Sequence, residues 1–390
     1  LQGALPDGAA LVEFSRYRPA NFGTGPWGGP DRWAAVVVQG FDRIATVDLG
    51  PVAGTEGWIA ALTAENADAD SAARALYDRL IAPLGLDPAA MTLIAPDDLL
   101  HLVPFHRLTQ PDRRPWVQTQ SLRIVQSGRD LLRAPSDRPA SGLLAIGGVD
   151  FDGAPTQLAM AQTAAPEAFA GEIKRSRAGA AEALRGGFSP LPGSAREVAE
   201  IAALYRAGRP REKVETWRAG EAGEARLAAN DKPPRVLHLA THGFYRAPNG
   251  RADRPMLLSG VALSGANRAL REDDQDGVLY AIEAQDLNLE GTELVVLSAC
   301  ETAQGEIGHG EGVYGLVRAL RTAGARNVLV ALREVDDEGA ATFMRDFYES
   351  WLMQAEGRSS PAKALEDVRR RYIKADPGFD WTPFVMVGAE

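Results

Sequence analysis

The sequence predicts an α/β fold with a mostly parallel sheet flanked by helices, and three observations predict it. Short strand-like runs recur at six places between residue 142 and the C-terminus, and two of them, 236–240 and 294–299, are β-branched, leucine-rich and bounded by polar or Gly/Pro-rich segments. That is how strands buried on both faces of a parallel sheet read. Segments with helical apolar spacing separate the runs, and such alternation implies right-handed crossovers packed on one sheet. The chain has 390 residues of which 45% are hydrophobic, long for one domain and sufficient for two cores.

Taken in order, the apolar runs 34–38 and 44–47 flank Gln39-Gly40 and predict a hairpin. A helix follows near 69–81, and a strand at 91–95, its approach punctuated by Pro83 and Pro88. The polar, proline-containing stretch 134–142 sets a domain boundary, giving an N-terminal region 1–134 and a second domain 142–390. In the second domain strands are predicted at 143–146, 214–217, 236–240, 294–299, 327–331 and 384–387. Helices are predicted at 194–205, 224–229, 313–323, 337–351 and 361–373. The Ser194-Ala195-Arg196-Glu197 start has the spacing of a capping box, which would place the Ser at the N-cap. Two long segments, 150–188 and the acidic 267–277, are expected to be mobile. The acidic one would border the functional cleft, or be a plain solvated loop.

The chemistry centres on Cys300, the only cysteine in the chain. It ends the run LVVLSAC, where a buried strand should spill into a loop. Upstream, the run VLHLA is followed by Thr241-His242-Gly243. In open α/β sheets ligands bind outside the carboxyl ends of the strands, so these two strand ends would bring a thiol and an imidazole to one crevice. That pairing suits acyl transfer, with Cys300 as nucleophile and His242 as acid and base. Gly243 has no Cβ to bar close approach, and its amide, with that of Cys300, would meet the oxyanion. The competing reading is an inert buried thiol, the ordinary fate of a free cysteine. His309 is the rival base but lacks a strand end to fix it. His238, inside its strand, reads as a hydrogen-bonded core residue, and His101 and His106 lie far from any nucleophile in sequence.

The stretches VLHLATHG (236–243), LVVLSACETAQG (294–305) and GEGVYGLVRALRTAGARNVLV (310–330) resemble the CHAT domain, a caspase-like and separase-like cysteine peptidase family. The likeness extends to Leu191-Pro192-Gly193, Asp276-Gly277-Val278-Leu279, Val335-Asp336-Asp337-Glu338 and Trp381-Thr382-Pro383-Phe384-Val385. It implies a caspase-like six-stranded sheet in 142–390, a pseudo-peptidase-like α/β region in 1–134, and cysteine endopeptidase activity. His242 matches the family's catalytic histidine and Cys300 its nucleophile. The family often has Ser-Leu-Trp before its Val-Asp-Asp, where this chain has Ala331-Leu332-Arg333. The resemblance also implies that the segment after that strand helps line the substrate pocket, which makes Arg333, Asp336 and Asp337 pocket candidates, although the two aspartates also suit a helix N-terminus. The resemblance further implies a protein substrate, a tetratricopeptide or other sensor upstream in a longer protein, and a role in bacterial defence or cell-death signalling. The alternative is a non-catalytic scaffold that binds partners through the same cleft.

Composition narrows the rest. The net charge of −10 and the lack of clustered cations beyond Arg369-Arg370-Arg371, read as a solvated helix face, argue against direct nucleic-acid binding. No apolar stretch approaches the ~20 residues of a membrane span, and no signal peptide heads the chain. One cysteine rules out an internal disulfide and a multi-cysteine metal site, so no metal or cofactor is expected and a reducing, cytoplasmic setting is. Gly308-His309-Gly310-Glu311-Gly312 is not a dinucleotide fingerprint, since it follows a long loop. The absence of an initial Met suggests a piece of a longer protein, and no helical repeat period is visible within it.

Overall fold

The computed structural model describes residues 2–20, 28–40, 43–65, 67–88, 90–134, 136–153, 187–245, 256, 258–270, 277–300, 311–333, 335–354 and 359–389. Two compact units divide it, the first built mainly from Leu1–Ala134, the second from Pro135–Gly308 and Gly312–Met386.

The first unit contains β1 (Ala10–Tyr17), β2 (Arg32–Gln39), β3 (Arg43–Pro51), α1 (Thr55–Ala64), α2 (Ala69–Leu76), β4 (Thr92–Ala95) and β5 (Leu122–Ile124). The predicted hairpin is the β2–β3 antiparallel pair, and β1 extends it as a meander. On its other edge β1 takes β4 in parallel, and β4 takes β5. Strand β1 was not predicted, because its second half carries Ser15, Arg16 and Tyr17 toward solvent and blurs the apolar run. The core holds Trp33, whose indole N–H donates to Thr55 Oγ1 at 3.0 Å, so its polar tip is satisfied while the ring is buried.

The second unit contains β6 (Leu143–Gly147), α3 (Pro192–Gly208), β7 (Val214–Trp217), α4 (Glu224–Ala228), β8 (Val236–Tyr245), β9 (Ser259–Ala262), α5 (Ala266–Ala269), β10 (Val278–Tyr280), α6 (Ala281–Ala284), β11 (Leu294–Cys300), α7 (Glu311–Ala323), β12 (Asn327–Ala331), α8 (Asp337–Leu352), α9 (Pro361–Lys374) and β13 (Phe384–Val387). The six predicted strands are all present, in the order β7-β6-β8-β11-β12-β13. From β7 through β12 every pairing is parallel. The β9–β10 pair is antiparallel and flanks the C-terminal half of β8. These two strands, only four and three residues long, went unpredicted. The strand order reverses between β6 and β8, so a topological switch point opens beside the end of β8.

Helices cover the sheet with aromatic weight. Phe343 of α8 stacks on Phe384 of β13 with ring centroids 4.0 Å apart, and Phe347, Tyr348 and Trp351 are buried behind it. The start of α3 corrects the capping-box reading. The helix begins at Pro192, whose fixed φ and missing N–H suit the first helical position. Ser194 lies inside it, its hydroxyl donating to Leu191 O at 2.7 Å and accepting from Gly148 N at 2.9 Å. Glu197 is spent on His238 instead. The arginine triplet is also corrected: Arg369 is buried and donates to Phe384 O at 2.6 Å. Of the two segments expected to be mobile, 154–186 and 271–276 lie outside the described residues, as does His309.

Candidate active site

Strand β8 runs in register with β11 from Leu294↔Val236 to Leu297↔Leu239, and then slips by one residue. Beyond the slip Ala299 pairs with His242 and Cys300 with Gly243. An extra residue in β8 is a bulge, a device that re-aims side chains at strand ends. Regular alternation would keep His242 on the face of His238, two pleats earlier. His238 is fully buried there between Glu197 Oε1 at 2.9 Å from Nε2 and the Tyr348 hydroxyl at 3.2 Å from Nδ1. A carboxylate only accepts, so Nε2 carries the hydrogen and Tyr348 donates to Nδ1. Burial holds the Tyr348 hydroxyl well above the usual tyrosine range, which keeps it a donor. The neighbours of His242 are different ones, so the bulge separates a core histidine from a site histidine within one strand. Inside the bulge Thr241 is buried and its hydroxyl donates to Ala262 O of β9 at 2.6 Å, tying the irregular turn of β8 to its neighbour.

His242 is 3% exposed. Its ring lies against Phe151, centroids 5.2 Å apart, and stacks on Phe188 at 5.6 Å. Its Nε2 lies 2.7 Å from the Ser189 carbonyl oxygen. A carbonyl only accepts, so the hydrogen sits on Nε2. In the neutral ring Nδ1 is then the basic nitrogen, and a fixed tautomer is what an acid–base histidine requires. Phe151 and Phe188 also touch one another, and Phe188 touches Phe244. The ring is thus walled by two loop phenylalanines far apart in sequence, and Phe244 on β8's own exit backs one of them. None of these supports is visible as a motif, because Phe151, Phe188 and Ser189 lie in stretches without periodicity.

The other predicted positions fall as follows. Cys300 is the last residue of β11, beside Gly243 in the ladder, and Gly243 faces Val261 of β9 on its other edge. Arg333, just past β12, is ion-paired with Asp380 and lies 3.5 Å from Thr382 Oγ1. Asp336 caps α8, accepting from Gly339 N at 2.8 Å. Asp337 accepts from Gly193 N at 2.8 Å, so it ties the start of α8 to the start of α3. His106 is buried in the first unit, away from these strands in the chain. Among the described residues no cluster of His, Cys, Asp and Glu is arranged to hold a metal ion. Among them also, no helix is long and apolar enough to cross a membrane.

A family model described as "CHAT domain" matches residues 70–389. Tetratricopeptide repeat protein 28 of Mus musculus is 33% identical over 113 residues, which is 29% of this chain and 4% of that protein. The solved separase–securin complex of Saccharomyces cerevisiae aligns with 76% of this chain and 16% of its own, at 12% identity and a TM-score of 0.38. The chain therefore spans only a small part of either relative.

Proposed function

The chain belongs to the CHAT domain family, and from that premise we propose that it is a cysteine endopeptidase. The observation that carries the proposal is the register toward the sheet's carboxyl edge, where His242 of β8 pairs with Ala299, the residue before Cys300, on the adjacent parallel strand β11. In this reading the Cys300 thiol loses its proton to His242 Nδ1 as sulfur adds to the scissile carbonyl carbon. The Gly243 and Cys300 amides hold the oxyanion, and the nitrogen leaves with the proton from His242 as the C–N bond breaks. Water, giving a proton to His242 Nδ1, then attacks the thioester carbonyl, and the departing sulfur takes that proton back as the thiol. The Ser189 carbonyl supports this assignment, because it accepts from Nε2–H and so makes Nδ1 the basic nitrogen of the neutral ring.

The substrate is a protein segment bound along the strand ends. Arg333, Asp336 and Asp337 remain the proposed pocket residues. The Arg333–Asp380 pair bears on selection, since Asp380 offsets the charge with which Arg333 would attract an acidic side chain. Residues 1–134 act as a pseudo-peptidase-like partner region to an active domain in 142–390. The name of the mouse relative supports a tetratricopeptide or similar sensor in the longer protein, with action in the cytoplasm and in defence or cell-death signalling.

The test is a peptidyl electrophile with mass-spectrometric mapping of the adduct. Cys300→Ala is expected to abolish both labelling and cleavage with the fold intact. His242→Ala should lose about 10²–10⁴-fold in turnover, the range of general acid–base catalysis. Labelling at another residue, or cleavage surviving in Cys300→Ala, refutes the assignment.

A further inference from the structure

Asn267, the first residue of the acidic segment expected to be mobile, instead stands in α5 and is 5% exposed. Its side-chain Oδ1 accepts from Phe188 N at 2.6 Å while its Nδ2 donates to Phe188 O at 3.0 Å. Its own backbone N–H donates to Phe151 O at 2.9 Å. One residue thus grips the backbone of both phenylalanines that pack on His242, and Phe188 is directly followed by Ser189, whose carbonyl holds Nε2. Gly265, two residues earlier, adds a bond from its N–H to Asp150 O at 3.1 Å. An amide that pairs with the N–H and C=O of one residue imitates a strand neighbour. It fixes that residue in translation and in rotation about the chain.

A second observation shows how little slack the grip has. Gly187 has φ +68°, and a Cβ built on it would lie 2.7 Å from Asn267 Oδ1. Only glycine both adopts that backbone comfortably and leaves room for the amide.

We propose that Asn267 is the positioning residue for His242, setting its tautomer and ring orientation through Phe188, Ser189 and Phe151. It touches neither substrate nor reacting atoms in this scheme. Its role for turnover rests on the peptidase reading, whereas its hold on the imidazole does not. A misplacement of about 1 Å at a catalytic group can cost about 10²-fold in rate, and loss of the amide frees Ser189 to move by that much.

The experiment is performed on the whole chain with three variants: Asn267→Ala, Asn267→Asp and Gly187→Ala. Imidazole ¹⁵N chemical shifts report the His242 tautomer independently of any activity. The wild-type chain is expected to show Nε2–H, and Asn267→Ala a mixture of tautomers. Against the best cleaved peptide from a randomised library, Asn267→Ala should lose about 10–10²-fold in kcat with KM nearly unchanged. Asn267→Asp keeps the acceptor for Phe188 N and should fall in between, which also covers the case in which the alanine variant fails to fold. Gly187→Ala should reproduce the alanine phenotype by displacing Oδ1. A role confined to stability would lower the melting temperature and leave the tautomer and kcat as in the wild type, and that result overturns the proposal. A wild-type chain without turnover whose variants still lose the Nε2–H tautomer would sink the peptidase reading and uphold the clamp.

Discussion

At the scale of single residues, burial gives a handle on pH. His101 in the first unit is pushed down to about 3 from the ordinary 6.5, because burial disfavours its charged form. Above pH 6.5 the ring is neutral folded and unfolded, and it contributes no pH dependence. As pH falls from 6.5 toward 3 the unfolded chain takes up a proton that the folded chain refuses, so stability declines across that window. The slope from this one group is at most about 1.4 kcal/mol per pH unit. Urea unfolding of His101→Leu should show a flatter acid limb between pH 6.5 and 4 than the wild type, and an unchanged limb would assign the loss to other groups. The residues proposed to carry the chemistry were picked out for a related reason: His242 and Cys300 follow apolar runs, and a polar group at the end of such a run stands out. Asn267, Phe151 and Phe188 were not readable, since what joins them is hydrogen bonding and ring contact across more than a hundred residues of chain.

At the scale of elements, α8 offers the sharpest measurement. Asp336 sits in extended backbone at its N-cap and accepts from Gly339 N, so Asp336→Ala should cost about 1 kcal/mol of stability. The same variant separates the two readings of this aspartate. A cap alone shifts the chemical midpoint and leaves the peptide preference of the chain as it was, whereas a pocket residue changes the preferred side chain before the scissile bond. The six strands of the second unit were legible to within a residue at most ends because buried parallel strands are unbroken apolar runs. The exception is β8, predicted to stop at Ala240 and continuing to Tyr245, since its Thr-His-Gly stretch is polar and pairs with β9, a strand too short to announce itself. The α3 start was misread because Ser and Glu at capping distance had other partners in space: Gly148 and His238. Local spacing proposes a bond, and tertiary packing decides who receives it.

At the scale of the whole molecule, two compact units predict unfolding that is not a single all-or-none step. Scanning calorimetry should give a calorimetric enthalpy larger than the van't Hoff enthalpy, and equality of the two would mean that the units melt as one. Within the second unit, stability and chemistry are divided along the length of the strands. The amino-terminal halves of β8 and β11 are Val and Leu packing around the buried His238 in regular register, and the slip in register falls toward the carboxyl ends. The slip at Ala240 and Thr241 has an evolutionary corollary. Losing a single codon there would straighten the ladder into plain alternation with the imidazole still beside Ala299 and on its present face, whereas ironing out the slip without losing a residue would turn the ring to the side of His238.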